Sequence, residues 1–157
     1  FHILKSVDQK LSLMAAVMRL TQAFLIAINL LNHMAVLIVP NSSITQEQFT
    51  EYQLAGFMQF FLDAHSMGYL LSGVFFGISC MILGRLFFKA DFIPQFFSWV
   101  VGFAGLVYLS DSFINFILPA LAYYSEMITW VVAIFAEVGF CLWLLFQGLG
   151  TKKAPDY

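Results

Sequence analysis

The chain alternates long apolar stretches with short polar breaks. Four stretches of mostly apolar residues run over positions 11–39, 60–88, 92–118 and 127–149. An α-helix rises about 1.5 Å per residue, so each stretch is long enough to cross the roughly 30 Å hydrocarbon core of a bilayer. The pattern therefore predicts an all-α transmembrane helical bundle with four membrane spans, which together form a single integral-membrane domain.

The breaks predict where these helices begin and end. Thr45 stands three residues before Gln48, which is the spacing of a capping box, so we expect a helix to begin there and to continue, bent at Gly56, into the second span. Asp91 is placed to cap the amino end of the third span. Pro119 should close that span, because proline cannot donate to a helical hydrogen bond.

The charged residues predict the orientation in the membrane. The connections 40–59 and 119–126 hold no Lys or Arg, whereas the basic residues lie before span one, between spans two and three, and after span four: Lys5, Lys10, Arg85, Lys89, Lys152 and Lys153. Basic residues favour the cytoplasmic side of a membrane. Both ends of the chain are therefore predicted to be cytoplasmic, with the loops near Asn41 and Tyr123 outside.

The composition indicates which classes of partner the chain can bind. The chain is 61% hydrophobic and 10% charged, its mean hydropathy is +0.86 and its formal net charge is −2. Seven Lys and Arg residues are too few and too scattered to follow a nucleic-acid backbone. We therefore expect the lipid bilayer, and no nucleic acid, among its partners.

Cysteines and glycines within the spans favour packing roles. Cys80 and Cys141 both lie inside spans, where a cysteine behaves as a small apolar side chain rather than as half of a disulfide. Gly73 and Gly77 have the four-residue spacing that lets two helix backbones approach closely. We interpret the glycine pair as a helix-packing seam; a dimer seam is the alternative.

Polar side chains inside the spans are the candidate functional residues. A charged side chain at the centre of a bilayer costs about 2.5–3.5 kcal/mol on insertion scales, so each one requires a partner or a function. In span one, Arg19, Gln22, Asn29 and His33 recur at helical spacing and form one stripe. This stripe should face the bundle interior or a neighbouring subunit rather than lipid.

The depths of the polar residues predict two groups. In the inner half, Arg19 and Glu137 are expected to pair, with Gln22 bridging them. In the outer half, a second group could line a cavity that faces outward: His33, Asp63, His65, Asp111 and Asn115.

Three interpretations of these groups stay open. The side chains could only neutralise one another and fix the register of the helices. They could form a pocket for a small molecule, a lipid head group or a proton. Two histidines and two aspartates could also hold zinc in an intramembrane hydrolase. The sequence contains no HExxH motif and no phosphate-binding or nucleophile-elbow motif, so it assigns no metal site, no catalytic residue and no cofactor.

Four stretches carry a resemblance to a known family. They are FHILKSVDQKLSLMAAVMRLTQA, FLDAHSMGYLLSGVFFGISCMILGRLFFKADFIP, GLVYLSDSFINFILP and AEVGFCLWLLFQG. With the order and spacing kept, the chain resembles a family of uncharacterised bacterial polytopic membrane proteins, known as a domain of unknown function, over nearly its whole length apart from Pro40–Gln53 and the last few residues.

The resemblance implies further features. It implies additional spans upstream of Lys5, so that this chain corresponds to the C-terminal two-thirds of a family member. It also implies a bacterial inner membrane and a polar signature on Arg19, His65, Asp111 and Glu137. The chain departs from the family at Gln22, where an acid is common, which makes Glu137 the expected counter-charge of Arg19. The resemblance implies no established chemistry.

The sequence therefore predicts a membrane protein with little mass outside the bilayer. We expect it to be non-enzymatic, an accessory or scaffold subunit of a larger membrane complex with other membrane subunits as partners. The alternative is a small-molecule or proton pathway, or a metal-dependent intramembrane hydrolase, that uses the buried cluster of His, Asp and Glu.

Overall fold

The computed structural model describes residues 1–149 of the chain, and these residues form helices and no strand. Four helical stretches are long and apolar enough to cross a membrane: Gln9–Asn41, Glu51–Phe88, Gln95–Ile117 and Pro119–Gln147. The predicted all-α fold with four spans is therefore confirmed. Lys152 and Lys153, on which part of the predicted orientation rests, lie outside the described residues.

The connection between the first two spans differs from its prediction. Helix α1 (Gln9–Ile38) is followed by a 3₁₀ turn and by the short helix α2 (Ser43–Gln48), and helix α3 runs over Glu51–Phe88. A continuous helix from Thr45 into span two is wrong, because Phe49 is extended with φ −126° and ψ 143°. The capping box lies instead at Thr50 and Gln53, where each residue bonds the backbone of the other.

Helix α4 (Gln95–Ile117) begins after Pro94 rather than at Asp91. Pro94 has φ −58° and ψ 130°, so its backbone is extended, and its carbonyl accepts from the Phe97 amide at 2.9 Å. The ring of a proline fixes φ near this value, which suits the residue that precedes a helix. Pro119 follows the end of α4 and begins a 3₁₀ turn, Pro119–Leu121.

The fourth span consists of three helical parts. Helix α5 (Ala122–Ala133) leads into a π-helical segment, Ile134–Val138, which continues as α6 (Gly139–Leu149). A π-helical turn holds one more residue than an α-helical turn and changes the direction of the side chains that follow it.

The helices pack in the order of the chain. Helix α3 is central and packs against α1 on one side and α4 on the other, and α5 and the π-helical segment pack against α4. The first and last spans form no comparable interface with each other. The described bundle is therefore open between span one and span four.

Glycines allow α3 and α4 to approach closely. A Cβ atom at Gly77 would lie 2.8 Å from the carbonyl oxygen of Gly105, and one at Gly84 would lie 2.7 Å from the Cα atom of Gly102. A Cβ atom at Gly73 would lie 2.9 Å from the Ser112 hydroxyl oxygen in the same seam. Such close backbone contact is typical of small residues between membrane helices. This seam holds α3 and α4 together as the floor of the open side.

Candidate functional site

A cleft of about 540 Å³ lies at the open side of the bundle, between span one and span four. We call it the interspan cleft. Its floor is formed by α3 and α4, and all four spans contribute side chains. Its polar lining residues are Arg19, Gln22, His65, Ser66, Tyr69, Ser72, Tyr108, Asp111, Ser112, Asn115, Glu126, Thr129 and Glu137.

A row of four side chains crosses the part of the cleft farther from connection 119–126, which we call its inner part. The Arg19 guanidinium lies over the Phe76 ring, 4.1 Å from its centroid, and donates to Gln22 Oε1 at 3.3 Å. Phe76 and Tyr108 meet edge to face, with 4.6 Å between ring centroids, and the Tyr108 hydroxyl donates to Glu137. The two charged groups therefore lie at opposite ends of an aromatic pair, one on the first span and one on the last.

The predicted ion pair between Arg19 and Glu137 is wrong. Within residues 1–149, the ion pair with a nitrogen–oxygen distance below 4.0 Å is that of Lys89 and Asp8, at 2.8 Å. Gln22 contacts Arg19 as predicted but does not bridge it to the carboxylate. The physical reason is that, in the described residues, the first and last spans form no interface comparable to those of α3, so that the cleft separates the two residues.

Glu137 owes its position to the π-helical segment Ile134–Val138. Ala136 is buried in this segment, and the neighbouring Glu137 is exposed and lines the cleft. Such segments are uncommon in helices and frequently occur at functional sites, where they redirect a side chain. The local backbone thus presents a carboxylate to the cleft from the middle of a membrane span.

Carboxylates of α4 and α5 lie in the part of the cleft nearer to connection 119–126, which we call its outer part. Asp111 Oδ1 accepts from the Ser125 hydroxyl at 2.5 Å and from Asn115 Nδ2 at 3.2 Å. Glu126 Oε1 accepts from the Trp130 indole nitrogen at 3.4 Å. The bond between Ser125 and Asp111 joins α5 to α4, and the other two bonds, each within one helix, help to hold the carboxylates at the cleft wall.

Asn29 joins α1 to α3 by hydrogen bonds and does not line the cleft. It is buried, its side-chain amide donates to the backbone oxygen of His65 at 2.8 Å, and His65 Nδ1 lies 3.3 Å from the backbone oxygen of Asn29. Gly68 leaves the space for this amide, because a Cβ there would lie 2.3 Å from Asn29 Oδ1. His33 is exposed and stacks on His65, with 3.7 Å between ring centroids.

The outer predicted group therefore does not form one cavity. Asp63 is exposed and accepts from Gln59 Nε2 at 2.8 Å, away from the cleft. Within the described part of the chain, no three His, Cys, Asp or Glu side chains are grouped so that they could hold a metal ion. The four residues considered as zinc ligands are therefore not gathered into a ligand set: His33, Asp63, His65 and Asp111.

The structure thus divides the predicted site residues. Six of them line the interspan cleft: Arg19, Gln22, His65, Asp111, Asn115 and Glu137. Asn29, His33 and Asp63 lie outside it. The six come from all four spans and form one site, where the sequence predicted an inner pair and a separate outer group.

Sequence reasoning missed several lining residues of the fourth span. Glu126 was assigned to the outer connection, because the apolar stretch begins at Met127. A signal was nevertheless present, since Glu126, Trp130, Ala133 and Glu137 recur at helical spacing and line the cleft together. The stripe is hard to recognise in the sequence, because two of its four members, Trp130 and Ala133, carry no charge.

The comparisons with known proteins concern the whole chain. A family model described as Domain of unknown function (DUF4386) matches residues 1–148. The match covers nearly the whole chain, including Pro40–Gln53, which the resemblance in the sequence left out. That the chain corresponds to the C-terminal two-thirds of a family member stays a prediction. The chain matches no curated protein and no solved structure.

Proposed function

The chain belongs to the family described as Domain of unknown function (DUF4386), and we propose that it is a non-enzymatic binding protein of the membrane. Its interspan cleft would hold a small molecule with a polar head and an apolar tail. One observation carries this proposal: polar side chains of all four spans line one cleft on the open side of the bundle.

The size and lining of the cleft suit a small ligand. Its volume of about 540 Å³ lies within the range of roughly 300–1,000 Å³ that is usual for small-molecule sites. Protein hydrogen bonds already hold Asp111, Glu126 and Glu137 in place. A site with fixed polar groups costs less to organise when a ligand binds.

The open side of the cleft favours an amphiphilic ligand. Exposure of the Arg19 and Glu137 side chains to hydrocarbon would cost free energy, because neither residue lies at an end of its span. The polar head of a ligand would cover these groups, while its apolar tail would pass between spans one and four into the bilayer. The same lateral opening would give such a molecule its route of entry.

We also propose the location and orientation that the charges predict. The protein would lie in the bacterial inner membrane with both ends of this chain cytoplasmic. In that orientation the salt bridge of Asp8 and Lys89 lies at the cytoplasmic surface, and α2 lies outside. This arrangement is supported by the absence of Lys and Arg from connections 40–59 and 119–126.

A variant that fills the cleft tests the binding function. Ala133 lines the cleft, so Ala133→Trp should exclude the ligand, whereas Ala27→Trp places the same side chain on the exposed surface of α1 outside the cleft. The measurement is native mass spectrometry of protein extracted gently from its membrane. We expect a bound small molecule in the wild type and in Ala27→Trp, and none in Ala133→Trp. Equal occupancy of all three proteins would contradict the proposal.

An accessory subunit is the second candidate, and the unpacked edges of the bundle favour it. Within residues 1–149, span one and span four form no interface comparable to those of α3, and large apolar side chains such as Leu20 and Phe24 are exposed on α1. A helix of another subunit could occupy this side. Sizing of the extracted protein, followed by mass spectrometry of the peak, separates the candidates: a stoichiometric protein partner supports the accessory subunit, and a protein that migrates alone supports the binding protein.

A further inference from the structure

Contacts between the helices place several residues at one level of the outer cleft. The Ser112 hydroxyl donates to the Leu70 carbonyl at 2.9 Å, which aligns α4 with α3. The bond between Ser125 and Asp111 aligns α5 with α4 at the same level. Tyr69, Asp111 and Glu126 are neighbours of these contacts in the chain, and all three line the cleft. Trp130 joins them through its bond to Glu126.

Negative charge at this level is not compensated by the protein. At the inner level Glu137 shares the cleft with Arg19, so one acid and one base face the same space. At the outer level Asp111 and Glu126 have no Lys, Arg or His nitrogen within 4.0 Å among residues 1–149. Their second oxygens, Asp111 Oδ2 and Glu126 Oε2, accept no hydrogen bond from that part of the chain. These oxygens are available to a donor from outside the protein.

Aromatic rings lie beside these carboxylates. Tyr69 and Trp130 line the same part of the cleft and are more than half exposed in the bundle, at 57% and 61%. The face of an aromatic ring attracts an ammonium group electrostatically, most strongly for tryptophan. Carboxylates together with aromatic faces are a chemistry that attracts organic cations and repels anions.

We propose that the ligand of the interspan cleft carries an alkylammonium head, bound between Asp111, Glu126, Tyr69 and Trp130. This inference rests on the proposed binding function and names its ligand class. The ammonium hydrogens donate to the free carboxylate oxygens, and the alkyl carbons next to the nitrogen contact the two rings. The apolar tail leaves between spans one and four. The head group of a lipid and a free amine share this chemistry.

Three probes separate these sources and test the charge. Palmitoyl lysophosphatidylethanolamine carries an ammonium head, palmitoyl lysophosphatidylglycerol has the same chain and phosphate without it, and ethylammonium has the head alone. Binding to the full chain in nanodiscs is titrated by native mass spectrometry. Hydrogen bonds to charged groups are among the stronger ones in proteins, so we expect the ethanolamine lipid to bind at least about tenfold more tightly than the glycerol lipid. Ethylammonium that binds as tightly as the ethanolamine lipid also supports the inference and identifies a free amine as the source.

Variants of the two carboxylates test whether these residues cause the preference for the ammonium head. Glu126→Gln should remove most of the tenfold preference, and Asp111→Asn should reduce it further. The controls are Glu47→Gln, in α2, and Asp63→Asn, in α3 but outside the cleft; both should keep the preference. Glu126 is exposed, and its carboxylate bonds only the side chain of Trp130 among residues 1–149. The Glu126→Gln variant should therefore keep its fold, which its melting temperature checks.

The outcomes are distinguishable from a failure of the binding function. Equal or tighter binding of the glycerol lipid overturns the ammonium head and leaves the binding function in place. A preference that persists in Glu126→Gln and Asp111→Asn overturns the assigned residues. Binding of none of the three probes, together with equal occupancy of the Ala133→Trp and Ala27→Trp proteins, overturns the binding function itself.

Discussion

At the scale of single residues, the interspan cleft is stabilised by hydrogen bonds that reach from one helix to the next. The Tyr108 hydroxyl on α4 donates to Glu137 on the fourth span, and the Ser125 hydroxyl on α5 donates to Asp111 on α4. Polar contacts of this kind join membrane helices where apolar surface cannot, because lipid is as apolar as the helices themselves. The groups that would bind a ligand therefore also hold the fourth span in place.

The first prediction concerns Tyr108. Tyr108→Phe removes the hydroxyl and leaves the Glu137 carboxylate without its donor from α4. Loss of one partner of a charged hydrogen bond costs about 1–3 kcal/mol of unfolding free energy. Thermal unfolding in a mild detergent should show a lower melting temperature than in the wild type. Tyr124→Phe is the control, because Tyr124 is exposed near the outer connection. Equal melting temperatures for the two variants would contradict the bond.

The second prediction concerns pH and the salt bridge of Asp8 and Lys89. The Lys89 ammonium, 2.8 Å away, and the Leu11 amide lower the pKa of the Asp8 carboxyl below its ordinary value of 3.8. A carboxyl whose pKa is lower in the folded state stabilises the fold fully above its unfolded pKa and loses this contribution as the pH falls through the folded pKa. The stabilisation by Asp8 should therefore be complete at neutral pH and be lost progressively below about pH 4, as the pH falls through the lowered pKa of the folded state.

Asp8→Asn isolates this contribution. Asparagine keeps the capability to cap α1 and removes only the charge. The melting temperature of the variant should be lower than that of the wild type at pH 7, and the difference should close in acid. Asp91→Asn, at an exposed aspartate outside any ion pair among residues 1–149, should show no such difference. A difference in melting temperature between Asp8→Asn and the wild type that stays constant between pH 7 and pH 3 would rule out the assigned salt bridge.

At the scale of helices, the central element is the seam between α3 and α4. The third prediction compares two glycines of α3. A Cβ at Gly77 would lie 2.8 Å from the Gly105 carbonyl oxygen, whereas nothing lies within 4 Å of one at Gly56. Gly77→Ala should therefore cost about 1–3 kcal/mol of unfolding free energy. Gly56→Ala should be neutral or stabilise the helix by up to about 1 kcal/mol.

Unfolding of both variants in detergent provides the measurement. Because the two substitutions are chemically identical and lie in the same helix, their difference reports the seam and not helix propensity. Similar unfolding free energies for Gly77→Ala and Gly56→Ala would mean that α3 and α4 do not approach as closely as the structure shows.

The lengths of the apolar stretches were sufficient to predict the helices. The possible capping residues were not sufficient to predict where each helix begins. The four spans follow from uninterrupted apolar stretches, since any other backbone in lipid would leave polar groups unpaired. Both predicted caps were wrong because several residues in each connection can cap a helix, and Thr50 and Pro94 are used instead of Thr45 and Asp91. The π-helical segment at Glu137 has no sequence signal of its own, because it depends on the packing of the fourth span against α4.

At the scale of the whole molecule, the fourth prediction concerns orientation. Ser6 precedes α1 and Ser43 begins α2, so the first span separates them. With Cys80 and Cys141 replaced by alanine, Ser6→Cys should react with a membrane-impermeant maleimide only after the cells are opened. Ser43→Cys should react in intact cells. Reaction of both on the same side would contradict four alternating spans with a cytoplasmic amino end.

The sequence could not reveal the open side of the bundle. Polar residues at similar depth in spans one and four suggested a pair, and Arg19 and Glu137 do line one cleft. Their separation depends on how the helices are arranged around α3 and α4, which is a property of packing across the whole molecule. Depth along the spans can be counted from the sequence, but the distance across the bundle cannot.

The central claim is that a small amphiphile occupies the interspan cleft, and a photo-reactive benzophenone amino acid at Thr129 tests it most directly. Thr129 lines the cleft, and the adjacent Ile128, which is exposed outside it, is the control position. Both proteins are irradiated in their native membrane and weighed intact. We predict a small-molecule adduct at position 129 that differs from the lipid adducts at position 128. The same lipid adducts at both positions, or a protein adduct at position 129, would contradict the account.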